Sequence, residues 1–196
     1  MRRGRWFLAP RIAGATLAVL GGFIALGAAL PSTAAAQAAG GAPDGFLAEI
    51  DGQFEASAQK LVALARAMPA SSYSWSPAEG VYTVARVYTH LATYNYMYPH
   101  QNLGRNPPAA GAAYNDFEAG ITDKDEVVRT LEASVDFVRS VLDGMTEADL
   151  DRRTTLYGRE VGQYAVLLQL VTHMNEHLGQ AIAYARMNGV VPPWSR

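Results

Sequence analysis

The chain has 196 residues, enough for one domain, and is 49% hydrophobic and 17% charged, which suits a packed core and excludes a disordered chain. A formal net charge of −2, with no basic patch interleaved with aromatics, excludes nucleic acid as a partner. There is no cysteine, so disulfides, thiolate metal sites and cysteine nucleophiles are ruled out, and no glycine-rich phosphate loop precedes a helix.

Residues 1–38 read as a signal peptide. Arg2, Arg3, Arg5 and Arg11 form a basic start, Ile12 to Leu30 is uncharged and apolar, and Ala36-Gln37-Ala38 is an A-x-A cleavage pattern. The 19 apolar residues could also remain as an uncleaved membrane anchor. Arg2-Arg3 followed by Trp6-Phe7-Leu8 is a loose version of a twin-arginine signal. Cleavage after Ala38 leaves twelve of the sixteen basic residues against eighteen acids, a net −6, with no electrostatic pull toward nucleic acid or anionic lipid. The expectation is an exported protein, periplasmic or extracellular, that meets a membrane only if the leader stays attached. Residues 39–44 form a mobile tail.

A first helix is expected from about Gly45 to Met68, with Leu47, Ile50, Phe54, Leu61, Ala65 and Met68 at helical spacing. Pro69 ends it, because the residue before a proline avoids the helical region. Ala70–Tyr82 is a connection in which Tyr73 and Trp75 cover the end of the core. Thr83 is the N-cap of a second helix that runs to about Tyr98, with Val84, Val87, Tyr88 and Leu91 inward and Pro99 as its stop. His90 lies at the edge of that face; taken alone it also reads as a hydrogen-bonded packing residue.

Pro99–Ile121 has little periodicity over 23 residues. Extended, it reaches ~75 Å, against ~36 Å for a 24-residue helix, so it can cross the whole molecule and start the third helix parallel to the second. It reads either as a lid that joins Tyr94 and Tyr98 at a pocket rim or as a passive strap. The third helix is expected from Thr122, with Asp125 as a capping-box partner and Val128, Leu131, Val135, Val138, Leu142 and Met145 as its stripe, ending at Gly144. Thr146–Leu150 is a short turn, and Asp151–Glu160 a loop or small hairpin.

The last helix, Val161 to Asn188 with Gly189 as its stop, carries the chemistry. Leu167, Leu170, Val171, Met174, Leu178, Ala181 and Ala185 make one broad apolar face. His173 and His177, four apart, point the same way beside that face and can share one metal ion. A third ligand must come from elsewhere, and His90 is the best placed. His173-Met-Asn-Glu176-His177 also fits the H-x-x-E-H pattern of inverted zinc proteases, in which the glutamate is a general base, but nothing downstream supports a protease. Four amphipathic helices give an all-α four-helix bundle over residues 45–196.

Three pieces stand in an order that resembles the DinB-like family of metal-binding four-helix bundles: Trp75-Ser-Pro-Ala-Glu-Gly-Val-Tyr-Thr-Val with His90-Leu-Ala; Tyr157-Gly-Arg-Glu; and His173-x-x-x-His177-Leu-Gly-Gln180 with its continuation to Trp194. The chain resembles an exported member of that family. The resemblance implies an up-down-down-up bundle, consistent with the long crossover between the second and third helices. It implies a divalent ion on His90, His173 and His177. Relatives often carry an acid that completes the capping box of the second helix where this chain has Arg86, a departure that bears on helix capping rather than on the site, and His100, a surface residue, has no counterpart. Three imidazoles with open positions make a catalytic-type site that does not select sharply among zinc, nickel, cobalt and iron. Gln180 is placed to orient a ligand, and Gly179 either packs closely beside the metal or is a tolerated weak spot.

The implied activity is a metal-dependent enzyme acting on a small molecule of unknown identity. Characterised relatives include transferases of small thiols, such as bacillithiol, and an isomerase. Export favours a hydrolase over the thiol chemistry of the cytosol. Glu176 is either a base beside His177 or a solvated surface acid. The alternative is a non-enzymatic metal- or ligand-binding bundle of a stress response, and a homodimer is compatible with either.

Overall fold

The structure, a computed structural model, describes residues 45–195. The expected signal peptide (residues 1–38) and tail (residues 39–44) lie outside the described residues. Four long helices form the body: α1 (Phe46–Ala67), α2 (Val84–Leu103), α4 (Lys124–Asp143) and α5 (Gln163–Met187). A single-turn helix α3 (Phe117–Gly120) interrupts the crossover, and a two-stranded hairpin, β1 (Arg153–Leu156) and β2 (Arg159–Gly162), precedes α5. No helix among the described residues is long and apolar enough to cross a membrane.

The helices pack as a four-helix bundle with the expected up-down-down-up course. α4 begins where α1 ends: the Lys124 ammonium donates to the carbonyls of Arg66 and Met68 at 2.9 and 2.7 Å. Those carbonyls belong to the last turn of α1 and its cap, which lack partners within the helix, and a cation suits that negative end. Farther along, Arg139 of α4 holds Glu55 of α1 in a two-pronged ion pair. A buried hydrogen bond from Asn95 to Ser134, 3.0 Å, sets α2 beside α4, and Ser57 donates to Asn175 to set α1 beside α5. The core between them includes Phe54, Leu61, Leu91, Leu131, Leu167 and Met174.

The helix ends show which local rules held. Thr83 caps α2 by accepting from the Arg86 amide at 3.2 Å, and Gly189 takes a left-handed φ of 73° beyond α5. Pro99 does not stop α2. The helix runs one more turn to Leu103 and closes on Gly104 at φ 67°. An interior proline forfeits one helical hydrogen bond and costs about 3 kcal/mol in isolation. Here that last turn is tied from outside: Asn102 exchanges hydrogen bonds with Thr154 and Thr155 of the hairpin, and His100 meets the Tyr114 hydroxyl at 3.1 Å. The cap of α4 is Asp123 rather than Thr122, accepting from the Glu126 amide at 3.0 Å. A carboxylate at the positive end of the helix outcompetes a neighbouring hydroxyl. The buried stripe runs through Val127, with Val128 only partly covered.

The crossover is more ordered than its composition suggests. From Gly104 it folds back along α2, with Tyr114 and Phe117 packing on Tyr96. Thr93 donates to the Tyr114 carbonyl at 3.1 Å. Gly111 lies so close to Tyr96 that a Cβ would stand 2.3 Å from the ring. At Gly179, by contrast, an added Cβ meets nothing within 4 Å, so that glycine is a weak spot in α5 and not a close-packing device.

These two glycines give opposite outcomes on substitution. Gly111→Ala forces apart a fully buried aromatic cluster and should lower stability by about 1–3 kcal/mol. Gly179→Ala should raise it by up to about 1 kcal/mol. Urea denaturation followed by far-UV circular dichroism measures both.

Candidate metal centre

His90 comes from α2, and His173 and His177 from α5. Antiparallel packing of these two helices brings all three together, with one potential ligand atom from each within 4.8 Å of the others. The Nε2 atoms of His90 and His173 are 3.1 Å apart. A tetrahedral ion bound at 2.0–2.1 Å sets its nitrogen ligands about 3.3 Å apart, so this pair fits. No other group of three such side chains occurs among the described residues.

Two of the rings are held from behind. The Nδ1–H of His90 donates to Glu118 Oε1 at 2.8 Å, since a carboxylate only accepts. The Nδ1 of His177 meets Gln180 Oε1 at 2.8 Å, and the Gln180 amide nitrogen donates on to the Tyr184 hydroxyl at 3.0 Å. Gln180 is three residues beyond His177 on the same helix face, as the sequence suggested. With both Nδ1 atoms occupied, the Nε2 lone pairs are left for the cluster, the arrangement that outer partners give to metal-binding histidines. The donor set therefore fits a divalent ion.

Aromatic rings enclose the cluster. Tyr94 lies 4.5 Å from the His90 ring and 4.7 Å from that of His173, centre to centre. Tyr98 packs edge-on to His173 at 6.0 Å and is buried. Its hydroxyl pairs with that of Tyr157, at the tip of the hairpin. Tyr157 and Gly158 both have positive φ, 51° and 74°, the geometry of a tight two-residue hairpin turn. His90 and His173 are each only 9% exposed. Burial holds the His173 imidazole neutral, lowering its pKa to about 3, with charge repulsion from His177 and His90 adding to the shift. Burial also lowers that of His90, against the opposing pull of Glu118.

The cluster opens on one side into a cleft of about 550 Å³. Its walls are Gly80, Val81 and Tyr82 from the first connection and Glu176, His177 and Gln180 from α5, with His90 at the base. The rim is thus built by residues 80–82, while the crossover reaches the centre from behind through Glu118. A second groove, between α1 and α4, is lined by Arg66, Arg139, Glu132 and Asp136, which form ion pairs within it, and it gathers no comparable donor set.

The fold brings His90, His173, His177, Gln180 and Glu176 together here, whereas Tyr94 and Tyr98, expected at the pocket rim, pack against the histidine rings and do not line the cleft. His100 stands apart at the end of α2. Glu118, Tyr82 and Tyr157 were missed as neighbours of the site. Glu118 lies in a segment with no helical periodicity, 28 residues from His90, and nothing local marks it. Arg86 was assigned to helix capping alone; its guanidinium instead reaches Glu118 at 3.4 Å and lies 4.0 Å over the Tyr82 ring.

A four-helix bundle with a three-histidine cluster between two antiparallel helices is the class that this geometry defines. The DinB superfamily model matches residues 53–184, and the chain belongs to that superfamily. Solved structures agree on the fold. A DinB-like protein from Bacillus cereus superposes with a TM-score of 0.63 at 19% identity, covering 74% of this chain and 93% of that one. The DinB-like protein YjoA from Bacillus subtilis gives 0.55 at 24% identity, with 73% and 93% covered. YfiT from Bacillus subtilis, described as a probable metal-dependent hydrolase with an unusual four-helix bundle topology, gives 0.57 at 18%, with 74% and 89% covered. No curated protein matches the chain.

The depressed pKa of His173 fixes a sign for stability. Between the ordinary value of 6.5 and about 3, the unfolded chain binds a proton that the folded chain refuses. This contribution is favourable in full above the upper limit and is lost as pH falls through the window. The metal-free protein should therefore lose denaturant resistance steadily from pH 7 to pH 4. His173→Gln should flatten that slope, as read from urea midpoints at each pH.

Proposed function

We propose that the protein is an exported, metal-dependent hydrolase of small molecules, with His90, His173 and His177 holding a divalent ion. The observation that supports this most is the convergence of three ring nitrogens whose partners, Glu118 and Gln180, turn two of the rings toward one point. The description of YfiT as a probable metal-dependent hydrolase adds support at the level of the fold. Bound there, such an ion supplies Lewis acidity and lowers the pKa of a coordinated water.

The chain's own residues supply the rest. Gln180 fixes the His177 ring, and Glu118 fixes that of His90. Tyr94 and Tyr98 keep water from the inner side of the cluster. Glu176, exposed on the cleft wall, is the carboxylate that accepts a proton there. Val81 and Tyr82 offer a small organic substrate an apolar seat opposite. The leader expected over residues 1–38 supports export, which would keep this chemistry away from the reduced thiol cofactors of the cytosol.

Elemental analysis of protein purified without added metal should find about one divalent ion per chain. His173→Ala and His177→Ala should each remove most of it, and His100→Ala should leave it in place. On a panel of esters and amides, metal-dependent turnover should appear, and Glu176→Gln should lower kcat about 100-fold or more with metal content unchanged. Full metal occupancy without turnover on any substrate would favour a metal-binding bundle over an enzyme. N-terminal sequencing from the native host should begin after Ala38; an intact Met1 on a cytosolic protein removes the export part of the reading.

A further inference from the structure

We infer that Glu118 is a positioning residue of the three-histidine centre, held by Arg86 and Tyr82, so that metal occupancy and the docking of the crossover are coupled. This rests on the metal-binding reading above.

Glu118 sits on α3, a helix of four residues with no side-chain cap. So short a helix has almost no stability of its own. Its place is set by what it touches. The side chain is 22% exposed and uses both oxygens. Oε1 accepts from His90 Nδ1 at 2.8 Å, and Oε2 accepts from Nε and Nη2 of Arg86 at 3.4 Å. The Arg86 guanidinium in turn covers the Tyr82 ring, on the rim of the cleft. One carboxylate thus joins the crossover to a ligand on one side and to the cleft wall on the other.

Arg86 is free to do this because of its position. It is the third residue after the cap Thr83, where a capping box would carry Glu or Gln. Its backbone amide still satisfies the cap, while its side chain leaves the helix end for Glu118. A carboxylate on Nδ1–H fixes the imidazole ring and raises the basicity of Nε2. Linkage makes the effect mutual: whatever affinity an ion gains from Glu118 in place, the docked crossover gains from the ion.

The test uses the full chain without its leader and zinc as the probe. Zinc affinity is read by competition with a chromogenic chelator, and crossover protection by hydrogen exchange over residues 111–121, with and without zinc. Glu118→Ala should weaken zinc binding 10–100-fold and abolish the zinc-dependent gain in protection. Glu118→Gln, whose amide oxygen still accepts from Nδ1, should restore most of both. Arg86→Met, which touches no ligand, should weaken binding several-fold and reduce the protection. Wild-type affinity and protection in Glu118→Ala overturn the inference while leaving the metal site standing. If Glu118→Ala does not fold, wild-type values in Arg86→Met overturn it instead. A wild-type chain that binds no zinc, cobalt or nickel overturns the site itself.

Discussion

Two neighbouring helices that run the same way cannot be joined by a tight turn. α2 and α4 are such neighbours, and the chain must return the full length of α2 before α4 can begin. Much of what is particular to this molecule follows from that return. The crossover lies against α2, so α2 needs a surface for it: Tyr96 receives Gly111, Tyr114 and Phe117. The same path carries Glu118 past His90. A bundle of strictly alternating helices would have a short connection here and no carboxylate behind that ring.

The centre sets burial against reactivity. Desolvation penalises a charged imidazole, so His173 stays neutral far below its ordinary range. A neutral ring presents a lone pair without first losing a proton, which is the state that metal coordination requires. The cost appears on the acid side of the stability curve. His177, half-buried at the cleft, is held by a neutral amide, whereas His90 is held by a carboxylate. The rings are therefore held by different partners, with His90 alone backed by a carboxylate.

The parts legible in the sequence share one property, that their determinants are local. The 3.6-residue spacing of Leu167, Leu170, Val171 and Met174 shows α5 directly, and the i, i+4 placement of His173 and His177 follows from it. Gln180 was within reach because it is one turn from His177. Gly189 stopped its helix as expected. The misreadings are tertiary. Pro99 should end a helix by local rules, yet hydrogen bonds from the hairpin and the crossover carry α2 past it. Glu118 and Arg86 acquire their roles only when the crossover folds back. Thr122 and Asp123 compete for the same cap, and the face of α4 that packs on its neighbours takes in Val127 ahead of Val128 while keeping Leu131, Val135, Val138 and Leu142.

Lys124 has a chemical consequence of its own. The chain contains only two lysines, Lys60 and Lys124. Lys60 is exposed on α1, while the Lys124 ammonium is engaged by two carbonyls at the C-terminal end of that helix. An amine that must leave two acceptors before it can lose its proton reacts slowly with acylating reagents. The ratio of modification at these two positions thus becomes a built-in clock for the seam between α1 and α4. Lys60 sets the intrinsic rate, and the lag of Lys124 behind it reports how often the head of α4, and with it the end of the crossover, lifts from the bundle.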